Sequence, residues 1–468
     1  MIEYFLTLII LAMKMKIIDA PGKNSRYLHE KSKLIGRTQN ACLYGIALQS
    51  GDGNHITDVD GNRYLDFLSG AASNTIGYGR RDVVEAYAKT AMRLQHSCYM
   101  YTLNKEAIEL AEKLIDITPG DFEKKVLFDL SGSSSIDGAI KVARKFTGKK
   151  GIITFKNSEH GSTSLSIQAS TLSNLTGLFL DDGFYHVTFP TKEEEIVDIL
   201  AKIKSLFRQG IAAILIEPIQ GDAGVIVPPK NFFKDLYYLS KENGVLFIVD
   251  EIQTCAGRTG RWWGIENFDV VPDIVICGKG ISGGYAPISA VIGEEKMIDS
   301  LEKAQHLFTY GGHPPSCAAT KKVLDIIEKE KLMENALQIG KLLESELKQL
   351  KNCNVVKDFR GIGLMLGLDV ASENLAGIAG MRCIEYGLYP GYYGKYNEVL
   401  RLQPPLTLTE VEALWAARII KKVIDEMENK EIPNSTIEKY KKYSRGGICS
   451  TCSINSGFEE TLVKHNAI

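Results

Sequence analysis

The stretch DIVICGKGISGG, residues 273–284, decides the fold and raises the first chemical question. A short apolar run from Ile274 to Cys277 ends in a glycine, and Lys279 follows before further glycines. An apolar run of this length, bounded by glycines, is typical of a strand buried on both faces of a parallel sheet. The pattern therefore places a lysine where the backbone is tightest and the surroundings are most apolar.

Three further apolar runs show the same pattern of a doubly buried strand. They are GIITF (151–155), IAAILIEPIQG (211–221) and GVLFIVDE (244–251). Helical patterns lie between them, the clearest at residues 193–210 and 232–244. This alternation predicts an α/β domain with a mostly parallel sheet between helices.

The length of 468 residues exceeds one typical hydrophobic core, so we expect a second, smaller α+β domain. A long amphipathic pattern at residues 332–350 opens that domain, and the last residues are polar with little apolar periodicity. We predict four segments. An N-terminal segment (residues 1–74) contributes to the small domain, and a large domain (75–325) follows. The C-terminal small domain (326–428) is followed by a polar, loosely ordered extension (429–468).

Composition narrows the class of protein. The formal net charge of -2 offers no electrostatic attraction for nucleic acid or an anionic membrane. Nine dispersed cysteines indicate reduced thiols and a cytoplasmic protein rather than a disulfide framework. Cys449 and Cys452 form a C-x-x-C pair, but no second pair or histidine cluster lies nearby, so we expect free thiols and no metal.

An apolar stretch near the N-terminus, FLTLIILA at residues 5–12, does not alter this interpretation. Eight residues are too few to span a bilayer, and no small-residue cleavage site of a signal peptide follows. The stretch is either a short docking helix or lies upstream of the natural start, since Met13 and Met15 follow directly.

Polar groups follow three of the predicted strands. Asp250 directly follows VLFIV, Glu217 and the turn through Asp222 follow AAILI, and Lys279 follows IVIC. In open α/β sheets, ligands bind beyond the carboxyl ends of the strands. Taken singly, a carboxylate there often caps a helix and a loop lysine is usually solvated, but the three together indicate a ligand site.

The chemistry of these residues fits pyridoxal phosphate. A lysine shielded from water offers more neutral amine to attack an aldehyde. The Asp250 carboxylate can pair with a pyridine nitrogen and keep it protonated, so that the ring accepts electrons. The helical pattern that begins at SGSSSID, residues 131–137, offers backbone N–H groups for a phosphate, with Ser131 as a plausible cap.

With these motifs, the chain resembles class-III pyridoxal-phosphate aminotransferases of fold type I, the ornithine and 4-aminobutyrate aminotransferase type. The resemblance extends from YGIALQSGDGNHITDVDGNRYLDFLSG to VLRLQPPLTLT and is most specific over IVDEIQTCAGRTGRWWGIENFDVVPDIVICGKGISGGYAPISAVIG. It implies catalytic roles for Lys279, Asp250 and Asp222, and a substrate carboxylate held by Arg401. The cofactor-binding set that it implies is Ser131, Gly132, Ser133, Glu159, His160, Glu217, Asp250, Ile252, Gln253, Lys279 and Thr309.

Several of these roles are specific. Lys279 would bind the cofactor covalently, Gln253 would lie near the phenolic oxygen of the ring, and Val249 or Ile252 near its face. Thr309, in TYGGHPP, would reach the phosphate of a neighbouring subunit, which implies an obligate homodimer or a dimer of dimers.

The sequence departs from the family at three positions. Glu159 stands where a ring-stacking tyrosine or phenylalanine is usual, and Ser134 replaces the usual glutamate at the helix start. Asp222 stands where ornithine and 4-aminobutyrate aminotransferases carry a glutamate that pairs with the arginine matching Arg401. Related racemases and epimerases carry aspartate there, and Lys279 with Asp222 could serve as an acid/base on each face of a carbanion.

Two enzymatic hypotheses therefore stand, both acting on small molecules. The first is transfer of an amino group from an amino acid to a 2-oxo acid such as 2-oxoglutarate. The second is racemisation or epimerisation of an amino acid on the same cofactor. A catalytically silent binding protein is disfavoured because Lys279 and Asp250 are both present, and a nicotinamide-dependent dehydrogenase because no G-x-G-x-x-G opens a strand–helix unit near the N-terminus.

Overall fold

A computed structural model describes residues 15–40, 42–172, 178, 181–372 and 374–444. The chain folds into two compact units. The large unit comprises Ala72–Ile76 and Arg80–Met333, and the small unit is built from the remaining described residues. The apolar stretch at residues 5–12 and the Cys449–Cys452 pair lie outside the described residues.

Fourteen strands lie in the described part of the chain: β1 (Leu48–Asp52), β2 (His55–Asp58), β3 (Arg63–Phe67), β4 (Lys124–Asp129), β5 (Gly151–Phe155), β6 (Phe184–Val187), β7 (Ile211–Ile216), β8 (Leu246–Asp250), β9 (Ile274–Cys277), β10 (Ser289–Glu294), β11 (Val356–Ile362), β12 (Met365–Val370), β13 (Leu388–Tyr393) and β14 (Val399–Leu402). The α-helices are α1 (Lys23–Lys31), α2 (Arg81–Arg93), α3 (Lys105–Ile117), α4 (Gly132–Thr147), α5 (Ser166–Ala169), α6 (Ile196–Leu206), α7 (Phe232–Glu242), α8 (Glu295–Ile298), α9 (Pro314–Lys329), α10 (Leu332–Leu347), α11 (Leu375–Glu385), α12 (Glu410–Glu428) and α13 (Asn434–Tyr443).

The sheet of the large unit has the order β4-β10-β9-β8-β7-β5-β6. Four of its six pairings are parallel, and only β10 runs antiparallel to both of its neighbours. The four apolar runs singled out in the sequence are β5, β7, β8 and β9, and all of their residues are buried. The predicted mostly parallel α/β sheet is confirmed.

This topology brings distant residues to one edge of the sheet. Because β7, β8 and β9 are mutually parallel neighbours, their carboxyl ends lie side by side. Glu217 directly follows β7, Asp250 ends β8, and Lys279 follows β9 after one glycine. Because ligands of open α/β sheets bind beyond the carboxyl ends of the strands, these three residues border a candidate ligand site.

Helix α4 anchors the same sheet from its face. Ile136, Ala139, Ile140 and Ala143 recur at helical spacing, and each is fully buried in the core that the helix shares with the strands. Burying an isoleucine side chain contributes about 2 kcal/mol. The start of α4 is therefore held rigidly at the edge where the strands end.

The sheet of the small unit has the order β1-β2-β3-β13-β14-β12-β11. Its pairings are antiparallel except for that of β3 with β13. Helices α11 and α12 bury an apolar face within this unit. Mixed strands with separate helices match the α+β organisation expected for this part of the chain.

The C-terminal residues differ from the sequence expectation. Residues 434–443 form helix α13, whereas a loosely ordered extension was expected from residue 429. The helix buries Thr436, Tyr440 and Tyr443. A Cβ atom at Gly377 would lie 2.3 Å from the ring of Tyr440, so the glycine makes room for this docking. Two tyrosines and a threonine among lysines were too weak an apolar signal to predict the contact.

Within the described residues, no helix is long and apolar enough to cross a membrane.

Candidate active site

The carboxylate of Asp250 is held by a histidine from a distant loop. Nδ1 of His160 lies 2.7 Å from Oδ2 of Asp250, and Oδ1 accepts a hydrogen bond from the backbone N–H of Ile252 at 3.0 Å. Both side chains are buried. Burial lowers the pKa of His160, but the hydrogen bond and the charge of Asp250 outweigh it, so the pKa is raised overall. The pair fixes a negative charge in one orientation at the end of β8.

Lys279 occupies a strained position between two glycines. Its φ is +41°, in the left-handed region that non-glycine residues rarely adopt. Such strain costs on the order of 1–3 kcal/mol and persists where the surroundings enforce it. The adjacent Gly280 is tightly packed, because a Cβ atom there would lie 2.8 Å from Thr75 Cγ2, and its carbonyl accepts a hydrogen bond from Thr75 at 2.9 Å.

A cavity of about 380 Å³ opens at Lys279, which is itself partly buried. The lysine and the start of helix α4 both line it. Polar lining residues that the sequence analysis did not single out are Ser73, Ser282 and Tyr285. Ser282 and Tyr285 lie in the glycine-rich run after the lysine, which was noted only for its backbone. Ser73 lies about two hundred positions earlier, and no local signal marks it.

The start of helix α4 lines the same cavity with Ser131 and Gly132. Ser131 is the N-cap and accepts a hydrogen bond from the N–H of Ser134 at 3.2 Å, while Oγ of Ser134 accepts from the N–H of Ser131 at 3.3 Å. Ser134 thus completes a reciprocal capping box with Ser131, in a position where such boxes usually have Glu or Gln. Gly132 must lack a side chain, because a Cβ atom would lie 2.6 Å from Cδ1 of Ile252. The free backbone N–H groups of such a helix start bind anions such as phosphate.

Glu217 joins the two loops that flank Asp250. Its Oε1 accepts a hydrogen bond from the N–H of Glu159 at 3.2 Å, and its Oε2 accepts from the N–H of Gly221 at 3.0 Å. Burial raises the pKa of this carboxyl to about 8, and the charge of Asp250 adds to the rise. Glu217 therefore orients the loop that carries His160 and the turn that carries Asp222.

Glu159, at the position of the expected aromatic ring, bends back onto its own turn. Its Oε1 accepts a hydrogen bond from the N–H of Gly161 at 3.0 Å. Gly161 has a φ of +124°, and a Cβ atom there would lie 2.3 Å from Oγ of Ser133. The same Oγ accepts from the N–H of Ser162 at 3.1 Å. The loop that carries Glu159 is thereby packed against the start of α4.

Asp222 and Gln253 are also brought together. Nε2 of Gln253 donates to Oδ1 of Asp222 at 3.2 Å, and both side chains are partly buried. Gly221 packs against the same amide, since a Cβ atom there would lie 2.2 Å from Oε1 of Gln253. Most of the residues singled out in the sequence thus form one contiguous constellation within the large unit.

Two of the residues lie elsewhere. Thr309 is exposed, in the turn before α9. Arg401 belongs to the small unit, where it is almost fully buried on β14. The guanidinium carbon of Arg401 lies 3.3 Å from the centroid of the Tyr393 ring.

The constellation fits pyridoxal phosphate on its own chemistry. A lysine amine, an anion-binding helix start and a buried carboxylate on a histidine provide one group for each reactive part of this cofactor: the aldehyde, the phosphate and the ring nitrogen. Glycines at 132 and 161 allow the side chains of Ile252 and Ser133, respectively, to pack directly against the backbone there.

Comparison with known proteins agrees with this chemistry. A sequence model of the family described as "Aminotransferase class-III" matches residues 36–424. The chain is 37% identical over 385 residues to the acetylornithine aminotransferase of Methanothermobacter thermautotrophicus, covering 82% of this chain and 94% of that protein. It is 35% identical over 438 residues to the alanine/serine racemase of Pyrococcus horikoshii, covering 87% of this chain and 92% of that protein.

Among solved structures, the chain resembles an amine transaminase from an uncultivated Pseudomonas species in its pyridoxal-phosphate-bound form. The TM-score is 0.75 at 29% sequence identity, with 81% of this chain and 95% of that chain covered. The protein is a pyridoxal-phosphate-dependent enzyme of fold type I. It belongs to the class-III aminotransferase family, and transamination is the activity that these comparisons support.

Proposed function

We propose that the protein moves an amino group from an amino acid, either an α-amino acid or one of 4-aminobutyrate or ornithine type, to a 2-oxo acid such as 2-oxoglutarate. The observation that carries this proposal is the constellation in the large unit. Lys279 and the start of helix α4 line one cavity, and Asp250 is held by His160 at the neighbouring strand end. The acetylornithine aminotransferase relative supports an amino acid with a second, distal functional group as donor.

The residues of the constellation have distinct tasks in this reaction. When bound, pyridoxal phosphate supplies an electron-accepting ring that eases removal of a proton from the α-carbon of the substrate. Lys279 would hold the cofactor through its aldehyde and, as a general acid/base, would move that proton. Asp250, oriented by His160, would keep a proton on the ring nitrogen. Ser131, Gly132 and Ser133 would hold the phosphate at the helix start.

The remaining predicted residues are assigned to the rest of the cofactor and to the substrate. With the cofactor bound, Ile252 would contact the ring, Gln253 would contact its phenolic oxygen, and Thr309 would help to hold the phosphate in a neighbouring subunit. Arg401 binds a substrate carboxylate by a bidentate pair, because a planar guanidinium matches the geometry of a carboxylate.

The test is a two-substrate assay. A panel of amino donors is incubated with and without 2-oxoglutarate, and the amino acids are separated on a chiral column. Transamination requires both substrates and shows a ping-pong pattern, since the enzyme holds the amino group between two half-reactions. Absence of nitrogen exchange for every donor and acceptor pair would contradict the proposal.

Racemisation or epimerisation of an amino acid is the second candidate, and Asp222 is the observation that favours it. The racemase relative shows that the family includes this activity. In heavy water, a racemase would place deuterium on the α-carbon of the inverted product without consuming an oxo acid. Asp222→Asn would then stop inversion, whereas Lys279 would still exchange the proton on its own face. If no amino acid inverts without an acceptor, this candidate is excluded.

We propose a homodimer or a dimer of dimers as the working form. Thr309 is exposed, and beside its turn lies an exposed apolar segment in which Tyr101 is 77% and Leu103 75% exposed. Asn104, at the end of that segment, donates to the carbonyl of Gly312 at 3.0 Å, so both features share one surface. Exposed apolar clusters of this kind mark protein interfaces.

We also propose a cytoplasmic location. The cysteines within the described residues are free thiols, as expected in a reducing compartment. Fractionation of cells that express the tagged protein tests the location.

A further inference from the structure

A buried histidine fastens the loop that carries Thr309 to the sheet of the large unit. Nε2 of His306 lies 3.1 Å from Oδ2 of Asp129, the last residue of β4, and the two side chains are 2% and 0% exposed. Nδ1 of His306 lies 3.4 Å from Nζ of Lys141. Because a lysine ammonium can only donate hydrogen bonds, Nδ1 is the acceptor and Nε2 carries the proton. The ring therefore donates to a buried carboxylate, three residues before Thr309.

The same carboxylate is tied to the start of helix α4. Oδ2 of Asp129 also accepts a hydrogen bond from Oγ of Ser135 at 3.1 Å, and Ser135 lies two residues beyond Ser133. Oγ of Ser289, the first residue of β10, lies 2.8 Å from Oγ of Ser135. One buried carboxylate thus connects the helix start that would hold the cofactor phosphate of this subunit with the loop that would reach the phosphate in the neighbouring subunit.

Helix α4 leaves room for the histidine ring at one position. Gly138 lies in the interior of α4, where glycine is less favourable for the helix than alanine. A Cβ atom there would lie 2.5 Å from Nε2 of His306, the atom that bonds to Asp129. The contact, and not the helix, therefore requires the glycine.

The turn beyond the histidine is packed onto the end of β4 by a second glycine. A Cβ atom at Gly311 would lie 2.9 Å from the carbonyl oxygen of Phe128, and the N–H of Gly311 donates to the carbonyl of Phe308 at 2.9 Å. The rings of His306 and Phe308 meet edge to face, with their centroids 5.2 Å apart. Thr309 is exposed between these two anchors, His306 before it and Gly311 after it.

We propose that His306 is a positioning residue for the cofactor phosphate. Bonded to Asp129, it fixes the turn so that the Thr309 hydroxyl is presented in one position to the phosphate in the neighbouring subunit. A group that must reach across an interface gains from such anchoring, because a donor already held in place loses less entropy on binding. The inference rests on the proposed function, specifically on Thr309 as a phosphate-binding residue in a homodimer.

The test measures apparent dissociation constants of the cofactor by equilibrium dialysis of the holoenzyme. Two ligands are compared: pyridoxal phosphate, and pyridoxal, which has the same aldehyde and ring but no phosphate. His306→Phe keeps a ring but cannot donate to Asp129, and it should raise the constant for pyridoxal phosphate about fivefold or more without changing that for pyridoxal. His306→Gln is the matched control, because its amide offers an N–H near the position of Nε2. It should retain the wild-type constants.

Gly138→Ala disturbs the same contact without removing the histidine. The added Cβ would collide with Nε2 of His306, whereas alanine favours the helix, so this variant should fold even if His306→Phe does not, as judged by circular dichroism. It should show the same loss, confined to the phosphate-bearing ligand. Wild-type affinity for pyridoxal phosphate in either variant would overturn the inference.

A double substitution separates a positioning role from a merely structural one. Thr309→Val alone should raise the constant for pyridoxal phosphate about tenfold or more, since a hydrogen bond to a charged group is worth that much. Adding His306→Phe to Thr309→Val should cause little further loss, because His306 acts through the threonine. Additive losses, an equal loss for pyridoxal, or a monomeric His306→Phe in light scattering would each contradict the proposed role.

Thr309→Val also separates failure of the inference from failure of the proposed function. If Thr309→Val weakens the binding of pyridoxal phosphate but His306→Phe does not, the role of His306 is wrong and the role of Thr309 stands. If Thr309→Val leaves the binding of pyridoxal phosphate unchanged, both roles are wrong.

Discussion

Replacing Glu217 by glutamine tests the electrostatics of the strand edge. The wild-type carboxyl accepts one backbone hydrogen bond with each oxygen, from Glu159 and from Gly221. An amide has one acceptor oxygen, so Glu217→Gln loses one of these bonds and turns an NH2 group towards a backbone donor. Leaving a buried donor unsatisfied costs about 1–3 kcal/mol, and this cost does not depend on pH.

The titration of Glu217 changes the stability of the wild type in the opposite direction, since it lowers that stability as the pH rises. Burial raises the pKa of Glu217 from its ordinary value of 4.5 to about 8. Because the folded-state pKa lies above the unfolded one, the stabilising contribution is fully present below pH 4.5 and is lost as the pH rises through about 8. Each pKa unit corresponds to about 1.4 kcal/mol, so the rise corresponds to on the order of 5 kcal/mol at most.

The two effects predict crossing stability curves for the cofactor-free protein. At pH 5 the variant should have a lower free energy of unfolding than the wild type, because it has lost one hydrogen bond. By pH 9 the difference should vanish or reverse, since the wild type has lost its advantage. Urea unfolding followed by tryptophan fluorescence measures this; Trp262 and Trp263 lie in the large unit and Trp415 lies in the small unit. Glu242→Gln makes the same chemical change at an exposed position on α7. Parallel curves for the wild type and Glu217→Gln from pH 5 to 9 would refute the reasoning.

Three further predictions concern the cofactor and the subunit surface. Borohydride reduction of the holoenzyme should fix the cofactor on Lys279, as peptide mapping will show; cofactor that remains dialysable after reduction would contradict this. Asp250→Asn should retain the fold and bound cofactor but lose about a hundredfold or more in kcat, as expected when a principal electrostatic stabiliser is removed; near-normal turnover would disprove the role. Leu103→Asp should shift the protein to a monomer in light scattering and abolish activity, and an active wild-type monomer would exclude the dimer.

The placement of the strand-end residues could be predicted because it follows from local patterns. Apolar runs identify buried strands, parallel strands end at one edge, and residues that follow them meet there. Asp250, Glu217 and Lys279 were assigned in this way, and the structure places them at that edge. The start of α4 was likewise predictable, because Ser131 and the glycine after it are local signals of a helix cap.

Contacts across long separations could not be predicted from local patterns. His160 and Asp250 are 90 residues apart, and nothing in the periodicity of either segment indicates their hydrogen bond. Ser73 reaches the cavity only through the packing of the large unit. The contact of Tyr393 with Arg401 depends on a strand register that places a glycine opposite the arginine, and register is a property of the folded sheet.

The departures from the family pattern have unequal physical consequences. Ser134 replaces a glutamate but still completes the capping pair with Ser131, so the helix start is preserved with a shorter side chain. Glu159 cannot replace an aromatic ring in the same way, because its carboxylate bonds to the N–H of Gly161 and its own N–H bonds to Glu217. A substitution is therefore neutral where a second residue supplies the same hydrogen bonds. Glu159 instead forms new hydrogen bonds, so its position has acquired a different role. It stabilises the loop that carries His160, which contacts Asp250.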